Sequence, residues 1–265
     1  MISRMNKEKD IPPATSDSGD SARPLVINAM LHPALAGDFD RALDRICRVA
    51  GAPPVLLRVH ALRAGEDLAP FSHLILSGSE ASAAEDRSWN GPLEAVTRRA
   101  VDAGLPVLGI CYGHQFLART LLGRDHVRRA AVPEFGWIRP SLRPNPLFEG
   151  MEDPLVMVSH FDEVHGLTAD FQILGGSPDC PVHAFQYRDR PVWGVQFHPE
   201  YGPAEADAIF RALAAEFPEL SARIRDERDP RRPPAAHDRL FWNFLAARRR
   251  DADTDSRSIS CPHPL

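Results

Sequence analysis

From Leu25 onward, apolar and polar positions follow two alternating rhythms. Leu25 to Asn28, Val55 to Val59, Leu74 to Ser77 and Pro106 to Ile110 are short apolar runs of strand length. Between them, apolar residues recur every three or four positions in Asp38 to Val49 and in Pro92 to Ala103, which Gly104 ends, and again from about Gly113 to Leu122. This β-α-β-α order predicts an α/β fold: a doubly wound, mostly parallel sheet with helices on both faces. In such a sheet, reactive groups are expected at the carboxyl ends of the strands. Between Pro133 and Phe197 the rhythm changes to short β-like segments separated by Pro, Gly and Asp, among them Leu155 to Ser159 and Ala184 to Tyr187. That change predicts a small antiparallel β extension.

The two ends read differently. Residues 1–23 are rich in Lys, Asp, Ser and Pro without periodicity, as expected of a disordered leader, and one large domain is expected over 24–220. Within it, Ala204 to Glu216 reads as a helix. Residues 221–250 read as a linker followed by a C-terminal helix: Arg225 to Pro234 is charged and Pro-rich, whereas Leu240, Phe241, Phe244 and Leu245 form an apolar stripe within His237 to Arg250. The stripe fits docking onto the domain or onto a partner, and Arg248 to Arg250 suit the negative end of the helix dipole. The polar stretch 251–265 reads as a disordered tail.

Composition narrows the class. With 265 residues, 43% hydrophobic and 25% charged, the chain is long enough to bury a full core. A net charge of −5 offers no broad basic footprint, which argues against a nucleic-acid substrate. Because no apolar run approaches the roughly 18–20 residues of a membrane span and the N-terminus lacks a secretory core, no membrane partner is expected and a cytoplasmic location is. Cys47, Cys111, Cys180 and Cys261 show no paired spacing, so neither a zinc site nor a disulfide framework is expected.

Two motifs carry the chemistry. Val107-Leu108-Gly109-Ile110-Cys111-Tyr112-Gly113-His114-Gln115 is an apolar strand that breaks at G-x-C-x-G, the cysteine form of a nucleophile elbow. Val192-Trp193-Gly194-Val195-Gln196-Phe197-His198-Pro199-Glu200 is another apolar strand ending in His-Pro-Glu. Positions i and i+2 of extended chain project to one side, so His198 and Glu200 can act together. A neutral thiol attacks an amide slowly, and a nearby base favours the thiolate. His198 fits the role of a group that shares the Cys111 proton and later returns one to a leaving amine, with Glu200 orienting it. The elbow offers the backbone N–H of Tyr112 to a developing oxyanion.

In these residues and their order the chain resembles the class I glutamine amidotransferases, which release ammonia from glutamine through a cysteine thioester. Leu76-Ser77-Gly78-Ser79, Glu134-Phe135-Gly136-Trp137 and Ser159-His160-Phe161-Asp162-Glu163-Val164 extend the likeness over roughly Leu25 to Phe217. The resemblance is to the glutaminase domain of GMP synthase and its free-standing relatives. It implies a catalytic Cys111, His198 and Glu200, and an oxyanion hole from Gly78, Ser79 and Tyr112. It also implies substrate contacts from Gln115, Ser159, His160 and Phe161. Where the family carries a Gly-Gly-Pro turn for the second oxyanion donor, this chain has Gly78-Ser79-Glu80. Cys47 and Cys180 read as packing, and His114 as a residue that shapes the pocket. The thioester route requires no metal and no organic cofactor.

Three functions follow from that reading. The first is a glutaminase passing ammonia to a partner synthetase, favoured because neither a P-loop nor a Ser-Gly-Gly-Val-Asp-Ser pyrophosphatase loop is evident. The second is a hydrolase of γ-glutamyl amines that releases its product to water. The third is a non-catalytic scaffold, against which Cys111, His198 and Glu200 argue.

Overall fold

A computed structural model of the chain describes residues 22–229 and 238–250. The expected leader and tail therefore lie almost wholly outside the described residues, as does most of the expected linker. Eight strands form the main sheet in the order β2-β1-β3-β4-β10-β9-β8-β6. The first five are β2 (Val55–Arg58), β1 (Pro24–Asn28), β3 (His73–Leu76), β4 (Val107–Ile110) and β10 (Val192–Val195), all parallel. The last three, β9 (Ala184–Tyr187), β8 (Phe171–Gly176) and β6 (Ser141–Leu142), continue it antiparallel. A parallel half joined to an antiparallel extension is the architecture expected from the change of rhythm after Pro133.

Alternation along the strands divides the core in two. Val26, Ile75, Leu108 and Val195 point into one apolar cluster with α1 (Pro33–Val49), α4 (Pro203–Glu216) and α5 (Asp238–Leu245). Leu25, Ile27, Leu74, Leu76 and Val107 point into the other, with α2 (Asn90–Asp102) and α3 (Tyr112–Leu122). Helices thus cover both faces. The α5 stripe Leu240, Phe241 and Phe244 is fully buried in the first cluster. Helix α1 starts five residues earlier than its periodicity suggests. Pro33 occupies its first turn, where a missing N–H costs nothing.

Two features depart from the sequence reading. Val127–Ile138 forms one twelve-residue strand, β5, where short segments were expected. It passes through Pro133 because the register against β7 (Val156–Val164) shifts between Arg129 and Glu134, and such an irregularity accommodates a residue with no N–H to give the ladder. Ile224–Asp226, expected in a linker, is a third strand, β11, parallel to β5 at Phe135 to Trp137. Its three residues carry too little periodicity to be read against the surrounding charge. The resulting three-stranded sheet, β11-β5-β7, sits at the mouth of the main sheet.

Candidate active site

Three neighbouring parallel strands deliver three loops to one place. β3 leads into Ser77-Gly78-Ser79, β4 into Cys111, and β10 into His198, with Leu76 opposite Gly109 and Ile110 opposite Val195 in the ladder. Adjacent parallel strands end at the same level, so residues distant in sequence meet beyond their carboxyl ends.

Cys111 stands between β4 and α3 with φ 50° and ψ −102°, one of three non-glycine residues with positive φ among those described. Such a backbone costs on the order of 1–3 kcal/mol and persists only when its surroundings impose it. Hydrogen bonds from Cys111 N to Val195 O (2.8 Å) and from Gln115 N to Cys111 O (3.1 Å) supply part of that constraint. The flanking glycines supply the space: a Cβ on Gly109 would lie 2.4 Å from the Gly113 carbonyl oxygen, and one on Gly113 would lie 2.4 Å from that of Leu76. Any larger residue would force the elbow open.

His198 is held from two sides. Its backbone N–H bonds Met157 O of β7 at 2.9 Å, and its Nδ1 lies 2.8 Å from Glu200 Oε1. Tyr201 stacks on the imidazole with centroids 5.6 Å apart, and its hydroxyl reaches Met30 Sδ at 3.6 Å. Burial opposes a charge on the ring, but Glu200 and the Cys111 sulfur outweigh it, so the imidazole is pushed up to about 10. Glu200 Oε2 is buried and has no hydrogen-bond partner among the described residues.

The Gly78 loop is rigid despite lacking the family's proline. Ser77 Oγ accepts from Ala29 N (2.7 Å) and donates to Gly78 O (2.6 Å), while Ser79 Oγ donates to Ala29 O (2.7 Å) and accepts from Ala81 N (3.1 Å). Glu80 closes the turn by accepting from the backbone N–H groups of Leu31 and His32 at 2.8 and 3.0 Å. Side-chain bonds thereby do what ring constraint does in a Gly-Gly-Pro turn. No acceptor among the described residues pairs with the backbone N–H of Gly78 or Ser79. Tyr112 opens α3, where the first N–H groups have no intrahelical partner.

Cys111, Gln115, Ser159, His160, Phe161, Ser79 and His198 all border one cavity of about 530 Å³. Not every expected contact is free. Gln115 Nε2 is already committed to Asp162 O (2.9 Å) and Gln196 Oε1 (3.1 Å), and both His160 ring nitrogens have partners. The Ser159 carbonyl oxygen lies 3.8 Å from Cys111 Sγ. His114 is fully buried against Phe185, and burial pushes its ring down to about 3, so it underlies the site without entering the cavity. Sequence reasoning missed Arg129, which borders the cavity with its guanidinium 4.3 Å from the Phe161 ring centre, and also Met30 and Tyr201. Tyr201 follows the His-Pro-Glu motif directly, and that adjacency was the available signal.

Comparison with known proteins fits this geometry. The family model described as glutamine amidotransferase class-I matches residues 37–214. The glutamine-hydrolyzing GMP synthase of Azoarcus sp. (strain BH72) is 39% identical over 137 residues, covering 48% of this chain and 25% of that protein. The corresponding enzyme of Streptococcus pneumoniae (strain CGSP14) is 36% identical over 148 residues, 54% of this chain and 27% of its own. The match thus spans about a quarter of the length of these relatives. A solved structure of a glutamine amidotransferase from Thermotoga maritima shares the fold, with a TM-score of 0.67 at 22% identity over 85% of this chain and 96% of that one. A GMP synthase-type protein from Thermoplasma acidophilum gives a TM-score of 0.59 at 26% identity, over 76% of this chain and 98% of its own. With the family match extending across most of the described fold, the chain belongs to the class I glutamine amidotransferases.

Proposed function

We propose that this protein hydrolyses the side-chain amide of glutamine through a thioester on Cys111 and supplies the ammonia to a partner synthetase. One observation carries the reading: a strained cysteine, a histidine favoured in its charged form and a buried carboxylate meet where three parallel strands end. The Cys111 thiolate attacks the amide carbon, and the carbonyl π electrons move onto oxygen. N–H groups of Tyr112 and of the Gly78 loop receive that oxyanion. As the carbonyl re-forms, the C–N bond breaks and the His198 imidazolium gives its proton to the departing nitrogen, which leaves as ammonia. Water then attacks the thioester while the now neutral His198 takes its proton. Glutamate departs and the Cys111 thiolate returns. Glu200 holds Nδ1 throughout and stabilises the charged ring.

Gln115, Ser159 and Phe161 border the space the amino acid would occupy, with Gln115 acting through its bond to the Asp162 carbonyl. The alignment with one segment of much longer GMP synthases supports ammonia transfer to a separate synthetase. A thiolate nucleophile suits a reducing cytoplasm.

A specific observation favours a second reading. The cavity continues past Cys111 to Glu85, Arg87, Glu216 and Phe217, which leaves room for an amine larger than ammonia on the scissile bond. An ammonia-release assay with glutamine, run beside a panel of γ-glutamyl amines and with Cys111→Ala as control, separates the two. Cys111-dependent turnover of glutamine supports the amidotransferase reading. Preference for a γ-glutamyl amine replaces it with the hydrolase.

A further inference from the structure

A second group of reactive side chains lies beside the cavity, and the reaction above does not use it. Glu134 of β5, His160 of β7, and Cys180 and His183 from the segment between β8 and β9 each offer a donor atom, and these four atoms all lie within 4.8 Å of one another. All four residues are buried. We propose that they form a closed zinc(II) site joining the three-stranded sheet to the segment that leads into β9.

Hydrogen bonding points to a cation at the centre. His160 Nδ1 lies 3.0 Å from Asp162 O, which can only accept, so Nδ1 carries the proton of a neutral ring and Nε2 presents a lone pair. That lone pair faces Glu134 Oε2, another acceptor, at 3.2 Å. Two acceptors in contact inside a protein need a positive centre between them: a metal ion, or a second proton on the ring. Metal-bound histidines characteristically donate their other N–H to a backbone carbonyl, the arrangement His160 has.

The remaining contacts favour the metal. Glu134 is held by its other oxygen, Oε1, which accepts from Ser177 Oγ at 2.9 Å and from Arg225, so Oε2 is the atom turned to the histidines. Outer partners of this kind fix a ligating carboxylate. Cys180 and His183 are separated by two residues and form a short chelating loop. Two nitrogens, one sulfur and one carboxylate oxygen make a donor set that zinc accepts, with bonds of about 2.0–2.3 Å. A tetrahedron of such bonds separates its ligand atoms by roughly 3.3–3.8 Å. The His160 separation is already close to that range, and His183 Nε2, now 2.7 Å from Glu134 Oε2, needs to move by about half an ångström. Charge also closes. A carboxylate and a thiolate neutralise a divalent ion, and Arg225 has a second partner in Asp179 at 3.3 Å. Four protein ligands with no open position define a structural site. Sequence spacing concealed it because the donors come from three separate segments.

The test uses the full chain, purified with reductant and without chelator. Inductively coupled plasma mass spectrometry is expected to find close to one zinc per chain, falling below a tenth in Cys180→Ala and in His183→Ala and unchanged in Cys111→Ala. Wild-type protein unfolded and refolded with zinc should melt at a higher temperature than protein refolded with EDTA. In a Cys111→Ser background, refolding with cobalt(II) should produce a thiolate-to-cobalt charge-transfer band that the added Cys180→Ser removes. Metal-free wild-type protein, with no cobalt band and equal melting temperatures with and without zinc, would overturn the site and leave a doubly protonated His160 in its place. Zinc retained in Cys180→Ala but lost in Cys111→Ala would overturn it too, placing the ion at the nucleophile. None of these readouts depends on glutamine turnover.

Discussion

The Cys111 cavity and the Glu134 cluster share strand β7, with Ser159 facing one and His160 touching both, yet their polar groups are disposed in opposite ways. Around Cys111 the groups are left incomplete: the N–H groups of Gly78 and Ser79 have no acceptor among the described residues, Glu200 Oε2 has no partner there, and the cysteine backbone is strained. Around Glu134 both carboxylate oxygens are taken and the donors are sealed from solvent. A site that must receive a transient oxyanion and release a proton keeps unspent hydrogen-bonding capacity facing a cavity. One that only has to hold segments together consumes it.

Substitutions should separate the two regions by what they change. The largest expected effect is from His198→Ala, which removes the proton carrier and should lower kcat for glutamine by about 10²–10⁴-fold while the melting temperature changes little. Gly78→Ala comes next. Its Cβ would stand 2.9 Å from His198 Cε1, so either the ring or the oxyanion loop must shift, and steady-state kinetics should show a loss of about 10²-fold. A loss no greater than twofold would mean that the loop does not contribute to the rate.

Thiol chemistry provides a sharper contrast within one sample. Burial pushes the Cys47 thiol up to about 12, leaving roughly 10⁻⁴ of it ionised at pH 8. Peptide mapping after brief iodoacetamide treatment should therefore find Cys111 labelled at least about tenfold faster than Cys47. Equal labelling would contradict an activated nucleophile.

The smallest expected effect is on stability against pH. His198 is raised in the folded chain to about 10, against about 6.5 when unfolded. In that window the folded state binds the extra proton, so the pair's contribution is complete below about pH 6.5 and disappears as pH rises through 10. Thermal melts of wild type and Glu200→Gln should differ most near pH 6 and converge toward pH 10. A difference that grows with pH would reverse the sign and contradict the ion pair.

The difference between the regions also explains what could be read from the sequence. Cys111 and His198 each follow an uninterrupted apolar strand within one nine-residue block, so strand, turn and reactive group were visible together. The parallel half of the sheet was legible for the same reason. Strand β5 was not, because Pro133 and exposed Arg128 and Arg129 interrupt its pattern where the ladder shifts register. β11 was hidden among charges, although Arg225 is one of its residues and reaches Glu134. The Glu134 cluster has no local signature beyond Cys180-x-x-His183. It exists only once β5 and β7 pair and the segment before β9 folds against them.

Cys111-dependent ammonia release from glutamine is the most direct test of the proposed reaction. Steady-state assay of the purified chain, with Cys111→Ala beside it and a glutamine-like electrophile as a second probe, is expected to give turnover that the substitution abolishes, together with covalent capture at Cys111. Capture without turnover would mean a competent nucleophile that needs its synthetase partner. Neither capture nor turnover, in a protein that folds, would contradict the proposed reaction.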